Sequence, residues 1–521
     1  MVTDTLRKAE LALPADKPAR DGAGKFIRDL FFANLPLPFQ KVRTYLWLVV
    51  FSKAFGPSGF GIWALFLGTM GAALIITSMT QGNAMMRFLS GDRTREENNR
   101  ALSSVLFSVT VSSLLVALLL CAFSQQLSNL LFRDPRGRTV LILTAAIIPL
   151  ETYFEELRGF LRARRLNRIW ACFTLSRQMP EAFLLMGLAW WWMRNPVAVV
   201  GAYLCTAAIA VCFGFIYLAR RYQVRFVIPS SQIIRKYVPY GTALVPGALA
   251  STLSFAADRY LVGYYLDLRQ VGIYSVCFTV SSIGFFFCGP LTDVLLPEMS
   301  ALYDAGDWNQ FYIRFSGVQK FVFGLAMGAT ALLVAFPQQI LRALTTSAFA
   351  SGGSTLAILG MQGVFMSAVV LYSVMFCVRL RVWQATAVWA GMATIILAMD
   401  MVLLPRIGIA GAGVSQLVSS IAGAAFVIAL NWELFHRTFR LIWIVQTGAA
   451  LSSVVLLARL WPAHAASIVD ALARILTGAA VFTITSVISG YLRRDELDIL
   501  YRALARKSHP RMPAMAVQSQ A

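Results

Sequence analysis

Several apolar stretches of this sequence contain side chains that hydrocarbon does not tolerate. Lys41 and Arg43 stand just before the apolar run 44–55, which is too short to cross a bilayer unless it includes them, because a crossing helix needs about 20 residues. Further along come Glu151, Glu155 and Glu156, then Arg177 and Glu181, Asp258 and Arg259, Asp293 and Lys320, each well inside a run of apolar neighbours. Lipid-exposed charge at the bilayer centre costs about 2.5–3.5 kcal/mol per residue on an insertion scale. Exposing even half of these groups would cost on the order of 10 kcal/mol, comparable to a domain's whole net stability. They must face one another or a wet interior. The chemistry open to them is electrostatic, the lining of a water-accessible cavity, rather than covalent.

Simpler roles compete at some of these positions. Arg177 and Glu181 are four apart on one helix face and can neutralise each other. Asp258 and Arg259 fall near a helix end and can be interfacial. Glu156 has Arg158 and Arg162 within reach, and Lys320 can snorkel to the interface. Lys41, Arg43, Glu151 and Glu155 resist such explanations and are read as lining the cavity. Pro149, Pro180, Pro246 and Pro290 interrupt the same helices; each removes a backbone hydrogen bond and bends its helix, as a cavity opening to alternate sides would use. Membrane helices also tolerate proline without such a role, and Pro239 is close enough to its helix start to be a first-turn proline.

The elements that position these groups are legible from composition. The chain has 521 residues, 58% of them hydrophobic and 14% charged, with a mean hydropathy of +0.66. A soluble domain is about one quarter charged, so the chain belongs to the membrane class. Its formal charge of +21 would suggest nucleic acid in a soluble protein. Here the Arg and Lys residues gather in short loops between apolar runs, which is how topology is specified, and nucleic acid drops out as a partner.

The apolar runs predict an all-α polytopic fold of about fourteen membrane helices, each of roughly the crossing length. They cover 30–54, 61–87, 101–131, 139–161, 169–193, 196–219, 236–264, 271–297, 312–336, 354–378, 382–404, 410–432, 438–460 and 467–491. Arg and Lys favour alternate loops: Arg93, Arg95 and Arg100; Arg162 to Arg168; Arg220 to Lys236; and the tail from Arg493. That bias places both termini, 1–29 and 492–521, in the cytoplasm. A faint echo relates Gly61-Ile62-Trp63-Ala64 to Gly272-Ile273-Tyr274-Ser275, each opening the helix after a short external turn. It suggests two six-helix lobes, 30–219 and 236–432, related as parallel repeats, with 438–491 as two additional helices.

No catalytic signature is present: no Walker A, HExxH or GxSxG motif stands in the sequence. The seven cysteines lie in apolar runs without CxxC spacing, and the three histidines are far apart and near helix ends, so no metal site is expected.

The run Phe55-Gly56-Pro57-Ser58-Gly59-Phe60-Gly61-Ile62-Trp63 resembles the LGPxx[FY]G turn of polysaccharide transporters. These are the O-antigen and exopolysaccharide flippases of the multidrug/oligosaccharidyl-lipid/polysaccharide superfamily. The resemblance continues through Ala257 to Tyr265, Val271 to Ser275, Pro290-Leu291 and Leu296-Pro297, and Pro405 to Gly413. It spans roughly 30–435 in order and spacing. It implies two six-helix lobes around a central cavity. It implies as substrate an undecaprenyl-diphosphate-linked oligosaccharide, flipped across the bacterial inner membrane among membrane lipids, with a polymerase or co-polymerase of the glycan pathway as partner. A diphosphate suits Arg, which offers a bidentate fork, and Lys, a point charge. On this reading Lys41, Arg43, Arg177 and Lys320 bind substrate. Glu151, Glu155, Glu181, Asp258 and Asp293 line the cavity or couple transport to H+ or Na+; no other cofactor is implied.

Two alternatives stay within transport, a lipid II flippase and an ion-coupled drug exporter of the same superfamily. A drug exporter favours an aromatic, acidic cavity. The arginine-asparagine-proline-phenylalanine segment of lipid II flippases is not matched by Arg194-Asn195-Pro196-Val197. A membrane glycan polymerase or ligase is the alternative of another class; those carry a large periplasmic loop, and the longest external connection here is 337–353. A scaffold that moves nothing is the plainest reading.

Overall fold

The computed structural model describes residues 35–89, 94–164, 166–192, 194–286, 288–461 and 468–492. The expected N-terminal tail and most of the expected C-terminal tail lie outside them. Among the described residues the regular elements are all helical. In chain order they are α1 (Pro36–Ser78), α2 (Gln81–Phe88), α3 (Arg95–Ala122), α4 (Ser124–Leu127), α5 (Arg136–Ala163), α6 (Asn167–Gly187), α7 (Pro196–Tyr222), α8 (Ser231–Tyr265) and α9 (Leu268–Ser281). There follow α10 (Cys288–Asp304), α11 (Trp308–Ala335), α12 (Pro337–Leu344), α13 (Gly353–Val378), α14 (Val382–Ile407), α15 (Ile409–Leu430), α16 (Trp432–Thr438), α17 (Ile442–Leu460) and α18 (Ile468–Ile488). Nine of these are long and apolar enough to cross a membrane. Helices α5, α6 and α8 have the length as well, and they carry Glu151, Glu155 and Glu156, Arg177 and Glu181, and Asp258 and Arg259 respectively. With α1 counted as two spans and α9 and α10 as one, the elements follow the expected order of about fourteen crossings.

Helix α1 is 43 residues long, about 64 Å if straight at 1.5 Å per residue, twice what a bilayer needs. It is broken at Gly56, whose φ of 67° and ψ of −176° are non-helical. A side chain is strained at that φ, and glycine is not. The halves fold back on each other there. The Trp47 and Trp63 rings meet at 5.4 Å and Phe51 and Trp63 at 4.9 Å, whereas Trp47 and Trp63 would stand about 24 Å apart along a straight helix. Gly408, with φ 64°, turns the chain between α14 and α15 in the same way.

Local sequence fixes several helix starts. Thr94 accepts from the Glu97 N–H at 3.3 Å while the Glu97 carboxylate accepts from the Thr94 N–H at 3.0 Å, a capping box that opens α3. Asn195 caps α7 through the Val197 N–H at 3.0 Å, with Pro196 in the first turn. Before α5, Asp134 accepts from the guanidinium of Arg136 at 2.7 Å and from its backbone N–H at 2.9 Å. That pairing holds the Asp134 carboxyl below the usual carboxylate range.

The described residues form two compact units, one within 1–280, 344–349 and 381–415, the other within 281–343, 350–380 and 416–521. Within the first unit the echoed segments touch. A Cβ on Gly272 would lie 1.9 Å from the Pro57 carbonyl oxygen, and one on Gly61 would lie 2.2 Å from that of Leu268. Each glycine thus lets a backbone approach that a methyl group would block. Trp63 and Tyr274, at matching positions two residues on, are 2% and 0% exposed.

Replacing Gly272 by Ala forces backbone against backbone, an overpacking cost of about 1–3 kcal/mol or more. The melting midpoint in detergent should fall by about 5 °C. Gly71→Ala, where a new Cβ meets nothing within 4 Å, should leave it unchanged; equal midpoints for the two variants would contradict the close approach.

Candidate functional site

Four of the embedded charges converge in the first unit. Arg177, on α6, donates from Nη1 to Glu151 Oε2 on α5 at 3.0 Å, and its Nη2 donates to Glu151 Oε1. Its Nε donates to Glu181 Oε2 at 3.1 Å, one helical turn away, and Nη2 reaches the Tyr203 hydroxyl of α7 at 3.4 Å. Glu181 is shared: Arg43 Nη1, from α1, donates to its Oε1 at 3.2 Å. The side chains of Arg177 and Glu181 are 7% and 1% exposed. Two guanidinium charges and two carboxylate charges cancel, which is what a low-dielectric site requires.

Aromatic faces complete the surroundings. The Arg177 guanidinium lies 4.4 Å from the Phe154 ring centre and that of Arg43 lies 4.5 Å from Trp47, both within cation–π range. The ring contacts Trp63–Phe66 and Phe66–Tyr203 link the α1 fold-back to this cluster. A groove of about 380 Å³ between α6, α7 and α5 has Arg177 and Glu181 in its wall, among Phe154, Phe173 and Phe213. Arg43 keeps capacity in hand. Its side chain is 20% exposed, and its buried Nε donates to no acceptor.

The other expected residues sit elsewhere. Lys41 is on the exposed side of α1, two residues from Arg43. Glu155 accepts from Arg158 at 2.5 Å. Its neighbour Glu156 is 1% exposed, with one carboxylate oxygen lacking a hydrogen-bond partner, near where Gly82 of α2 crosses Gly159. Both glutamates line a pocket of about 320 Å³ with Arg158, Arg162 and Trp170. Lys320 belongs to the second unit, on α11. The side chain of Asp293 lies outside the described residues.

A second charged cluster joins α8, α9, α14 and the start of α15. Asp258 is 0% exposed, accepts the Arg259 N–H at 3.0 Å on Oδ1 and the Tyr274 hydroxyl on Oδ2. Asp400, also 0% exposed, has Asp258 and the Ser415 hydroxyl as polar neighbours. The Ser415 hydroxyl donates to the Gly411 carbonyl at 3.0 Å. Two carboxyl groups thus share a sealed site, and among the described residues Arg259 is the adjacent cation, its guanidinium 5.2 Å from the Phe278 ring centre. Asp400 escaped sequence reasoning, although a lone carboxylate in the apolar run 382–404 carried the same signal as the others.

Comparison with known proteins now bears on this arrangement. A family model described as "Polysaccharide biosynthesis protein" matches residues 39–303, which takes in α1 to α9 and both clusters except Asp400 and Ser415. The chain belongs to this family. Among curated proteins no sequence match is found. In fold, this family member is similar to the lipid II flippase MurJ in an inward closed conformation, with a TM-score of 0.70 at 14% identity over 91% of this chain and 99% of that one. It is also similar to a multidrug resistance MATE family transporter in an inward-facing conformation, with a TM-score of 0.66 at 12% identity over 76% and 95%. A MATE structure in the straight conformation gives 0.55 at 12% over 78% and 96%. The fold is therefore that of multi-pass flippases and transporters of this superfamily, as the sequence led one to expect.

Removing Arg177, which holds both carboxylates of the four-residue cluster, should be costly. Arg177→Met leaves Glu151 and Glu181 facing each other and should destabilise by about 3–5 kcal/mol, seen as early melting or aggregation in detergent. Adding Glu151→Gln should restore part of the loss. Strictly additive losses would mean that the two side chains are not coupled.

Proposed function

We propose that this protein is a flippase that moves an undecaprenyl-diphosphate-linked oligosaccharide from the cytoplasmic to the periplasmic leaflet of a bacterial inner membrane, with both termini cytoplasmic. The observation that carries the proposal is the family match across the segment that holds the buried arginine–glutamate cluster. In this reading Arg43 is the residue through which substrate is felt. Its guanidinium has one buried N–H without an acceptor, and the carboxylate it now holds, Glu181, is already shared with Arg177. An arriving diphosphate competes with Glu181 for Arg43 and gains charge-assisted hydrogen bonds; Glu181 remains neutralised by Arg177. Lys41, on the exposed side of the same helix, adds a second positive charge along the approach.

The Asp258–Asp400 pair serves as the coupling element. Uptake of H+ or Na+ neutralises a pair of carboxyl groups that share a sealed site, and its release restores the repulsion. An ion can shift a conformational equilibrium only by its differential affinity for the two states, and a buried site of this kind has the means to differ between them.

One observation favours a second substrate, lipid II. The likeness to the lipid II flippase covers 91% of this chain, against 76% for the inward-facing MATE transporter. Deletion of the gene followed by lipid analysis separates the two. Undecaprenyl-linked oligosaccharide should accumulate on the cytoplasmic face, with peptidoglycan synthesis unaffected. Unchanged lipid pools accompanied by drug sensitivity would overturn both in favour of an exporter.

Two variants probe the residues. Lys41→Ala with Arg43→Ala should abolish surface glycan export while the protein still inserts at normal level; normal glycan at that level would rule out their role. Asp400→Asn should remove the dependence of transport in proteoliposomes on an imposed ion gradient, and retention of the full gradient effect would rule out the aspartate pair.

A further inference from the structure

The second unit contains a long groove that the proposed transport reaction does not use. It runs between α11 and α18, has a volume of about 590 Å³, and is walled mainly by apolar and small residues, among them Gly324, Gly328, Leu332 and Phe482. Small residues on α11 create it: a side chain at Gly324 or Gly328 would run into the Tyr491 or Phe482 ring at 2.7 and 3.1 Å. Phe321 and Leu325 on its edge are 43% and 37% exposed, so the groove opens on the outer surface of the helices.

The charged and unpartnered polar groups of this groove gather at one end, while the Thr483 hydroxyl in its wall donates to the Ala479 carbonyl at 2.8 Å. Helix α18 spans about 31 Å over its 21 residues, which is the thickness of the hydrocarbon core, and it stops at Ile488. Just beyond its end the Tyr491 hydroxyl donates to the Lys320 carbonyl at 2.5 Å, and the Lys320 ammonium lies 5.5 Å from the Tyr491 ring centre. Lys320 therefore stands level with the end of a crossing helix, at the depth of lipid headgroups. Within the last turn of α18, Ser486 lines the groove with its side chain 0% exposed, and its hydroxyl has no hydrogen-bond partner. Burying a hydroxyl without a partner costs about 1–3 kcal/mol, so this group awaits an acceptor. From Lys320 to Leu332 the groove extends about 18 Å along α11, close to the roughly 15 Å depth of one leaflet's hydrocarbon.

We propose that this groove holds one acyl chain of a resident anionic diacyl phospholipid. Its phosphate rests on the Lys320 ammonium and an ester carbonyl accepts from Ser486. The order of the contacts, cation, then buried hydroxyl, then apolar trough, is the order of groups along such a lipid: phosphate, ester, chain. The lipid is a structural ligand of the second unit, distinct from the transported substrate.

The test is lipid retention by the full-length protein in mild detergent, read by native mass spectrometry. Dioleoyl phosphatidylglycerol and dioleoyl phosphatidylcholine are added in parallel, so that the tails are identical and the net charge differs. One phosphatidylglycerol per chain should be retained, with phosphatidylcholine held about tenfold less tightly. Lys320→Gln should abolish the preference, Lys320→Arg should keep it, and Ala329→Trp, which fills the trough, should lose both lipids. Gly317→Leu, at the headgroup end where a Cβ meets nothing within 4 Å, provides a second block should Ala329→Trp elute as aggregate. Equal retention of the two lipids, retention unaffected by Lys320→Gln, or displacement of phosphatidylglycerol by undecaprenyl phosphate at equimolar concentration would each overturn the proposal.

Discussion

Charge inside hydrocarbon has to be answered by charge, and the first unit is organised around that requirement. A guanidinium such as that of Arg177 cannot sit 7% exposed in a crossing helix without acceptors fixed around it. Its fork takes both oxygens of Glu151 from α5, and its Nε takes Glu181 from its own helix. Arg43 is drawn in from α1 because Glu181 has a second oxygen to fill. Four ionised groups therefore tie three helices together, and the aromatic faces of Phe154 and Trp47 close the remaining sides. Such an arrangement contributes register and specificity more than net stability. A neutral knot of this kind can exchange one partner for an incoming anion without stranding the rest.

The second cluster follows the opposite rule. At Asp258 and Asp400 two acids lie together, with the Ser415 hydroxyl as the other polar neighbour of Asp400. The one site is balanced within itself and the other is left to be balanced from outside. Under the proposed function the first site would hold its form while substrate competes for it, and the second would respond to an ion.

Much of this was legible in the sequence because bilayer physics is restrictive. Apolar runs of crossing length, interrupted by Gly56-Pro57 and Gly408, gave the order of the helices, and the embedded charges marked positions that could not face lipid. Arg177 and Glu181 at i and i+4 were recognisable as a pair. What the spacing could not say was that Glu151, 26 residues upstream, and Arg43, 138 residues from Glu181, meet them, since those contacts depend on how separate helices pack. Asp400 stood in plain view but isolated, and its significance comes only from Asp258 on a helix far away in sequence. The groove beside Lys320 was invisible for the same reason: it is made of glycines and of ring positions on two distant helices.

The paired glycines at the echoed segments also couple two distant parts of the chain. Gly61 meets the backbone at Leu268, and Gly272 meets that at Pro57, so each copy of the repeat presses its glycine into the turn that precedes the other. Such reciprocity is the contact that two parallel repeats would make where the start of one meets the start of the other. The contact ties the two positions together: any enlargement at one glycine is felt by the backbone at the start of the other helix.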